Sequence, residues 1–258
     1  MTHTLIIAEA ACTWEGSLEA AFRSIEAAHA CGADAWKTQW TSSIEKMAQR
    51  RGQASGEVYR RLLWPAEYHA KLKARCDAVG IEYMCTVFLP DDVAVIAPHV
   101  KRFKIAASEC DWKEFLDLHI LKGMPIILSR PFDKTVSYPF TDQVRSLLVV
   151  QKYPTPLEEL RLSRLRAVAI PHPDGWKAYS DSTYYGLSDH TISLLTGALA
   201  VACGATIIEK HVRMHNTPES NPDYPHSLRM DSALEEGGDE IPFKQYVQNC
   251  RESERAMG

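Results

Sequence analysis

Short apolar segments rich in Val and Ile alternate with helix-period segments along the whole chain, and this alternation restricts the possible folds more than any other feature. It is typical of repeated βα units built around a parallel sheet. The pattern predicts eight strands, at 5–9, 33–39, 81–86, 102–106, 125–129, 146–150, 184–188 and 206–209. It predicts helices at 17–31, 65–79, 91–97, 112–122, 156–166, 193–203 and 242–255.

Eight such units in 258 residues predict a (β/α)8 TIM barrel that forms a single domain over residues 1–258. An open, doubly wound α/β sheet is the alternative. Three connections, at 40–64, 171–183 and 214–230, are longer and less regular than the others. Long connections of this kind are often lids or binding loops, so we expect them near a functional site.

Composition and charge exclude several classes of function. The formal net charge of −4 and the dispersed Lys and Arg residues argue against nucleic acid as the main partner and favour small-molecule ligands. The seven cysteines include no C-x-x-C pair, so we expect no disulfide framework and a reducing, cytoplasmic location. No signal peptide is recognisable, and no segment approaches the roughly 18 apolar residues of a membrane span.

Two apolar segments near the C-terminal end each lead into a histidine close to a carboxylate. His190 follows Asp189, and His211 lies two residues after Glu209. The separation of the two histidines, 211 − 190 = 21 residues, matches one strand–helix–strand step, which brings both imidazoles to the same end of a parallel sheet. The pair predicts a shared divalent metal such as Mn, Fe, Co or Zn. The alternative is one half-buried histidine with a satisfied ring and one surface histidine.

Polar residues also lie at the C-terminal ends of the other predicted strands, either within the strand or just after it. Because a barrel gathers all its strand ends around one mouth, we expect a single site that draws on this set. Its members are Glu9, Lys37, Gln39, Thr86, Phe88, Lys104, Ser108, Glu109, Ser129, Arg130, Gln151, Tyr153, Ser188, Asp189, His190, Glu209 and His211.

Lys37 and Lys104 are the most informative members, because both lie within apolar strands. Burying an unpaired ammonium inside a barrel destabilises the fold by several kcal/mol unless an anion compensates its charge. One interpretation is a cradle for phosphate or carboxylate, in which hydroxyl groups of neighbouring strands add neutral donors. A second is structural pairing with Glu9 or Glu109. A third is a Schiff-base lysine, which would not need the histidine pair.

Taken together, these motifs resemble the sialic acid synthase family, which comprises N-acetylneuraminate synthase and related nonulosonate synthases. Members of this family condense phosphoenolpyruvate with a sugar aldehyde. The segments that carry the resemblance run in order over nearly the whole chain. They include Ile7-Ala8-Glu9, Lys37-Thr38-Gln39, Phe103-Lys104-Ile105-Ala106, Tyr153-Pro154-Thr155-Pro156, Gly186-Leu187-Ser188-Asp189-His190-Thr191, Ile208-Glu209-Lys210-His211 and Pro222-Asp223.

The resemblance implies that His190 and His211 hold the divalent cation, usually manganese, and that the barrels pair as a homodimer. The residues implied to bind phosphoenolpyruvate are Lys37, Thr86, Lys104, Ser129 and Ser188, and those implied to face the acceptor are Glu9, Gln39, Tyr153 and Asp223.

In the implied mechanism the metal polarises the acceptor aldehyde, C3 of phosphoenolpyruvate attacks it, and water adds at C2 before phosphate leaves. Glu109 is our candidate for handling that water or its proton, with Lys104 and Glu9 as the other catalytic candidates. A simpler role for Glu109 is to balance the charge of Lys104.

The departures from the family pattern concentrate on the acceptor side. Thr13-Trp14-Glu15-Gly16 stands where the family usually has Asn-His-x-Gly, and we expect a barrel without the C-terminal antifreeze-like domain of the family. The other departures are Val87 in place of proline, a serine shifted by one position to Ser108, Arg130 in place of threonine and Gln151 in place of asparagine. We therefore expect an acceptor other than N-acetylmannosamine. Phe88 and Gln151 are candidate substrate contacts, while Trp14 and Arg130 are either acceptor contacts or packing residues.

Two further classes of function stay open. The barrel could be a divalent-metal aldolase or hydrolase, or it could be a non-catalytic partner of another subunit. Release of phosphate only when phosphoenolpyruvate and an aldehyde are both present separates the leading prediction from the first of these. Stabilisation by phosphoenolpyruvate and metal without turnover would indicate the second.

Overall fold

A computed structural model of the chain describes residues 3–52, 58–134, 143–165, 170–171, 177–178, 184–233 and 240–257. Eight parallel strands form a sheet in sequential order, and the eighth strand pairs with the first, which closes the barrel. These strands are β1 (Leu5–Ala11), β2 (Ala35–Trp40), β3 (Glu82–Val87), β4 (Phe103–Ile105), β5 (Ile126–Pro131), β6 (Val144–Val149), β7 (Gly186–Asp189) and β8 (Ile207–Arg213). The predicted (β/α)8 barrel is confirmed, and the open-sheet alternative is wrong.

Helices cover the outside of this sheet. The α-helices with assigned bounds are α1 (Leu18–Ala30), α2 (Ile44–Arg51), α3 (Tyr68–Val79), α4 (Pro90–Ile96), α5 (Lys113–Ile120), α6 (Thr196–Ala202) and α7 (Pro242–Met257). A short strand, Leu228–Arg229, adds to β8, and a two-residue ribbon pairs Ile170–Pro171 with Lys177–Ala178. No helix in the described ranges is long and apolar enough to cross a membrane.

The barrel has two apolar regions, because successive side chains of a strand point to opposite faces. In β1, Ile6 and Ala8 belong to the large core between strands and helices. Ile7 instead points into the barrel, where it belongs to a smaller cluster of lumen residues. The buried members of that cluster are Ile7, Ala35, Met84, Ile127, Leu147 and Ile207.

The lumen changes from apolar to polar two residues further along most of these strands. Ile7 is followed at this spacing by Glu9, and Ile207 by Glu209. The same step leads to Lys37, Thr86 and Ser129 on β2, β3 and β5. A two-residue step keeps a side chain on the same face of a strand, so these groups lie above the apolar cluster, towards the carboxyl end of the barrel.

Several predicted elements differ from the observed ones. The predicted helix at 156–166 is wrong, because its described part forms two 3-10 helices, Leu157–Glu159 and Leu162–Leu165. Arg161 between them has a φ of 53°, a left-handed conformation that interrupts an α-helix. Connection 40–64 contains α2, which was not predicted. Residues 172–176 and 179–183 of the predicted loop at 171–183 lie outside the described residues.

Gly186 allows β7 and β8 to approach closely. A Cβ atom at this position would lie 1.8 Å from the carbonyl oxygen of Ile207, so no larger residue fits this backbone. The close pairing continues along the strands, where Leu187 is opposite Ile208 and Ser188 is opposite Glu209. The strand ends that carry the two predicted metal-binding histidines are therefore held in a fixed register.

Candidate active site

A narrow cavity opens at the carboxyl end of the barrel, where the predicted strand-end residues converge. Lys37, Lys104, His190 and His211 all lie around it, as the topology predicted. The complete lining consists of Glu9, Lys37, Gln39, Thr86, Lys104, Ala106, Ala107, Ser129, Val149, Tyr153, Ser188, His190, Glu209 and His211.

The two lysines form one side of the cavity, and both are almost fully buried. Lys37 donates to the Thr86 hydroxyl at 3.0 Å and forms an ion pair with Glu9. Lys104 donates to the Ser129 hydroxyl at 2.8 Å. Each ammonium therefore has a hydroxyl partner on the next strand, and both groups point into the barrel.

Glu209 links the two lysines, a role that sequence reasoning missed. Its Oε2 atom lies 3.5 Å from Nζ of Lys37, and its Oε1 atom lies 3.5 Å from Nζ of Lys104. Ser188 donates to Oε1 at 2.8 Å. Two carboxylates, Glu9 and Glu209, thus face two ammonium groups in the lumen. The sequence signal for this role was the position of Glu209, two residues before His211 on the same strand face.

Burial and charge set the protonation of this group of residues. Burial raises the pKa of Glu209, but Lys104 and Lys37 outweigh burial and lower it to about 2. Burial lowers the pKa of Lys37 to about 8 against the opposing effect of Glu209, and it also lowers the pKa of Lys104. Near neutral pH the lumen therefore carries ionised Glu209 and predominantly charged Lys37.

The imidazoles of His190 and His211 lie on the other side of the cavity, with ring centroids 5.4 Å apart. Nδ1 of His190 is 3.0 Å from the carbonyl oxygen of Val150, which leaves Nε2 to face the site. Burial lowers the pKa of His190 to about 4 and holds the pKa of His211 well below its ordinary value. Both rings are therefore neutral at pH 7, the form that binds metals.

Two groups from the loop after β8 join these imidazoles. The ring centroid of His226 lies 4.5 Å from that of His211, and the Asp223 carboxylate lies beside both rings. Asp223 was predicted at the site, whereas His226 was missed. The spacing of three residues between an acid and a histidine after the eighth strand was the available signal.

Tyr153 packs against this imidazole group, with its ring centroid 4.2 Å from that of His190 and 4.9 Å from that of His226. About half of its side chain is exposed at the mouth of the cavity. Burial raises the pKa of its hydroxyl to about 12, so the phenol stays protonated and can donate a hydrogen bond.

Comparison with known proteins identifies the family of this chain. The family model for the NeuB family matches residues 24–258. The chain belongs to the NeuB family. The resemblance to sialic acid synthases that the motifs predicted is thereby confirmed.

Similar proteins include two bacterial synthases. The chain is 29% identical to the pseudaminic acid synthase of Campylobacter jejuni, over 98% of this chain and 74% of that protein. It is also 29% identical to the N,N'-diacetyllegionaminic acid synthase of Legionella pneumophila, over 98% of this chain and 73% of that protein. The fold matches the N-acetylneuraminic acid synthetase of Leptospira borgpetersenii with a TM-score of 0.81, at 22% identity over 99% of this chain and 85% of that one.

Glu109 lies apart from the residues that line the cavity. It is fully buried and forms ion pairs with Arg50, at 2.8 Å, and with Arg51, both from the C-terminal end of α2. Ser108, the shifted serine, donates to its Oε2 atom at 2.7 Å. The expectation that Glu109 balances Lys104 is therefore corrected, since the charge it balances belongs to α2.

Trp14 and Arg130, predicted to be either acceptor contacts or packing residues, also lie outside the lining. Trp14 is buried, donates to the Thr38 hydroxyl at 2.9 Å and packs edge-on against Trp64. Arg130 is buried with its guanidinium 4.4 Å from the centre of the Tyr184 ring. Because Ser129 points into the barrel, Arg130 points to the opposite face of β5. The packing alternative therefore describes both positions.

Two other predicted substrate contacts, Phe88 and Gln151, also lie away from the cavity lining. Phe88 is buried in an apolar cluster beneath α2, together with Cys12, Met47 and Leu62. Gln151 is exposed and is not among the residues that line the cavity. The lining thus retains the residues expected to bind an anion and a cation, while four candidate contacts, Phe88, Arg130, Gln151 and Trp14, fall outside it.

Proposed function

We propose that the chain condenses phosphoenolpyruvate with an aldehyde or aldose in a reaction that requires a divalent metal, most simply Mn²⁺. The product is a nonulosonate-like 2-keto acid, and phosphate is released. Membership of the NeuB family and the nonulosonic acid synthases among its relatives support this class of reaction. The observation that carries the proposal is the pair of buried, hydroxyl-bonded lysines that faces a group of neutral imidazoles across one cavity.

The lysine side of the cavity suits the phosphate and carboxylate of phosphoenolpyruvate. Lys37 and Lys104 supply charge in a buried site, where water screens little and ionic hydrogen bonds are strong. The neutral donors beside them are the hydroxyls of Thr86, Ser129 and Ser188. An anion that enters would replace part of the interaction of Glu9 and Glu209 with the lysines.

The imidazole side suits a divalent cation held by His190 and His211. The buried Nδ1 atom of His211 makes no hydrogen bond within the described part of the chain. Buried polar atoms normally have a partner, so this nitrogen is available to bind a cation. When bound, such a cation polarises the carbonyl of an acceptor. Gln39, Tyr153 and Asp223 then hold the acceptor hydroxyls, with its aldehyde carbon facing C3 of phosphoenolpyruvate.

In carbon–carbon bond formation the double-bond electrons of phosphoenolpyruvate attack the aldehyde carbon, and the π electrons of the aldehyde carbonyl move to its oxygen, which takes up a proton to become a hydroxyl. Water then adds at C2 and gives up a proton, and cleavage of the C2–O bond releases phosphate and leaves the 2-keto acid. We assign the proton of that water to Glu9, because Glu9 lines the cavity and Glu109 does not. Glu209 is less suited to this role, because it lies between both lysines and also accepts a hydrogen bond from Ser188. Lys104 stabilises negative charge on the departing phosphate.

A phosphate-release assay tests this function. The enzyme is mixed with phosphoenolpyruvate, Mn²⁺ and a panel of aldehydes and aldoses that includes N-acetylmannosamine. We expect phosphate only when donor and acceptor are both present, with N-acetylmannosamine inactive. His211→Ala should abolish release, while His215→Ala, which removes an exposed ring paired with Asp231, should not.

The other outcomes of this assay identify other functions. Turnover of phosphorylated or acylated substrates without phosphoenolpyruvate would point to the aldolase or hydrolase. Thermal stabilisation by phosphoenolpyruvate and Mn²⁺ without product from any acceptor would point to a non-catalytic partner. Arg130→Ala should leave the acceptor KM unchanged, because its guanidinium packs on Tyr184.

We also propose that the chain works on small molecules as a homodimer in the cytoplasm. All seven cysteines are free thiols in the structure, which is compatible with a reducing compartment. Three exposed apolar side chains, Ile192, Leu195 and Leu199, lie close together in sequence at and before α6 and could contribute to a subunit contact. Light scattering coupled to size exclusion measures the oligomeric state directly.

A further inference from the structure

A second cavity opens at the amino end of the barrel, at the opposite end from the candidate active site. Its volume is about 330 Å³, and the strand residues that line it are Ile126, Ile127, Arg145 and Ile207. Each of these is the first or second residue of β5, β6 or β8. Pockets that hold small molecules have volumes of about 300–1,000 Å³, so this cavity is large enough for a small ligand.

The floor of this amino-end cavity is apolar. Ile127 and Ile207 belong to the lumen cluster and are 2% and 4% exposed. Each of them lies two residues before a polar residue of the candidate active site, Ser129 or Glu209. The apolar cluster therefore separates the two cavities, and a ligand in the amino-end cavity would contact the cluster from the side that faces away from the active site.

Arg145 brings a positive charge to the rim of the amino-end cavity. It is opposite Ile127 in the pairing of β5 with β6 and lies two residues before Leu147, so it points to the lumen side of its strand. Its side chain is exposed, and its guanidinium lies 5.1 Å from the centre of the Tyr185 ring. Arg145 forms no ion pair with any residue that the structure describes. Its donors are therefore available to an anion in the cavity.

Arg102 supplies a second guanidinium to the same cavity. Its Nε and Nη2 atoms donate to the two carboxylate oxygens of Glu82 at 2.8 and 3.0 Å. Its Nη1 atom lies outside this bidentate pair, and a third of the side chain is exposed. Because Glu82 already fixes the guanidinium, an anion that binds to Arg102 does not have to order this side chain.

We propose that the amino-end cavity binds a small organic anion, with a phosphate or carboxylate group on Arg145 and Arg102 and an apolar body against Ile127 and Ile207. Guanidinium groups match the geometry of both oxyanions, which accounts for the charged end of the ligand. The buried isoleucines account for its apolar end, because covering them removes apolar surface from water. The site does not depend on the condensation reaction and can be tested without catalysis.

Titration calorimetry with phenyl phosphate at low ionic strength measures this binding. The lysines of the candidate active site also attract anions, so the informative quantity is the binding that depends on Arg145. Arg145→Gln should weaken this binding by roughly 10- to 100-fold, the effect of losing a charge-assisted hydrogen bond. The matched control is Arg164→Gln, which removes another exposed guanidinium, 5.3 Å from the centre of the Phe132 ring, and should leave the affinity unchanged.

Glu82→Gln provides a test of opposite sign. This substitution removes the carboxylate that neutralises Arg102, so phenyl phosphate should bind more tightly than it does to the wild type. Loss of structure would weaken binding in both variants, whereas the proposed site requires weaker binding in Arg145→Gln and tighter binding in Glu82→Gln. Circular dichroism during thermal unfolding confirms that each variant is folded.

The choice of probes tests the two ends of the ligand separately. Inorganic phosphate should bind more weakly than phenyl phosphate, because it leaves Ile127 and Ile207 uncovered; equal affinities would contradict the apolar half of the site. Anomalous scattering from crystals soaked in 4-bromobenzoate should place bromine against these isoleucines. Bromine found only beside Lys37 and Lys104, or phenyl phosphate affinity that is the same in Arg145→Gln and the wild type, overturns the proposal.

Discussion

Replacing Glu209 by Gln tests the charge balance in the barrel. The substitution keeps the side-chain volume and an oxygen that can accept from Ser188, but it removes the charge that faces Lys37 and Lys104. The pKa of Glu209 is about 2, against an ordinary value of 4.5. Each pKa unit corresponds to about 1.4 kcal/mol. Relative to the unfolded state, the folded state therefore stabilises the carboxylate over its protonated form by about 3 kcal/mol.

Urea unfolding at pH 7 measures this contribution. We expect Glu209→Gln to lower the free energy of unfolding by about 3 kcal/mol with an unchanged slope, since breaking a buried ion pair leaves uncompensated charge. The matched control is Glu159→Gln, which removes a carboxylate 2.6 Å from Nζ of Lys152 in an exposed pair. Exposed pairs contribute about 0–1 kcal/mol, so the control should change little.

The pH dependence gives an independent check. Because the pKa of Glu209 is lower in the folded state, its stabilisation is fully present above pH 4.5 and disappears as the pH falls towards 2. The difference between wild type and Glu209→Gln should shrink over that same interval. A variant as stable as the Glu159→Gln control at pH 7 would refute the view that Glu209 neutralises the lysines.

Three further measurements address other parts of the structure. Burial lowers the pKa of Lys37 to about 8, so calorimetry should show phosphoenolpyruvate affinity falling as the pH rises through 8; constant affinity would exclude Lys37 as its charged ligand. Tyr246→Phe removes a 2.8 Å hydrogen bond to buried Asp189 and should cost about 1–3 kcal/mol in urea unfolding, whereas an unchanged midpoint would contradict this role. Gly186→Ala places a Cβ 1.8 Å from the Ile207 carbonyl, so it should abolish cooperative thermal unfolding; a wild-type melting curve would disprove the close approach.

The barrel was predictable because its determinants are local and repeated. Strands β1 and β8 are buried along almost their whole length and begin with apolar residues, Leu5-Ile6-Ile7-Ala8 and Ile207-Ile208, while glycines end several helices. The helix α2 was missed because Met47 is its one buried residue, so its sequence has no apolar stripe. The false helix at 156–166 has plausible composition, but nothing in the sequence reveals the left-handed backbone at Arg161.

The site was predictable as far as topology alone determines it. Lys37, Lys104 and His211 lie within strands and His190 directly follows one, so the closed barrel brings them together whatever the loops do. Glu109 was given the wrong partner because Arg50 and Arg51, which pair with it, belong to the unpredicted α2. Long-range contacts made by irregular segments have no periodic signal, and for the same reason the sequence did not show His226 beside His211.

Successive side chains of β8 point to opposite faces of the strand, and this places residues of one strand in both halves of the site. Glu209 and His211 point into the lumen, one against the lysines and the other against the imidazole group. Lys210 between them points outward, where it bonds to the carbonyl of Thr191 and lies 3.4 Å from Asp189. An anion that displaces Glu209 from the lysines and a cation at His211 would therefore act on the same three-residue segment. Because that segment is rigidly paired on both sides, the two ligands would sense each other mainly through charge, and phosphoenolpyruvate should bind more tightly when Mn²⁺ is present.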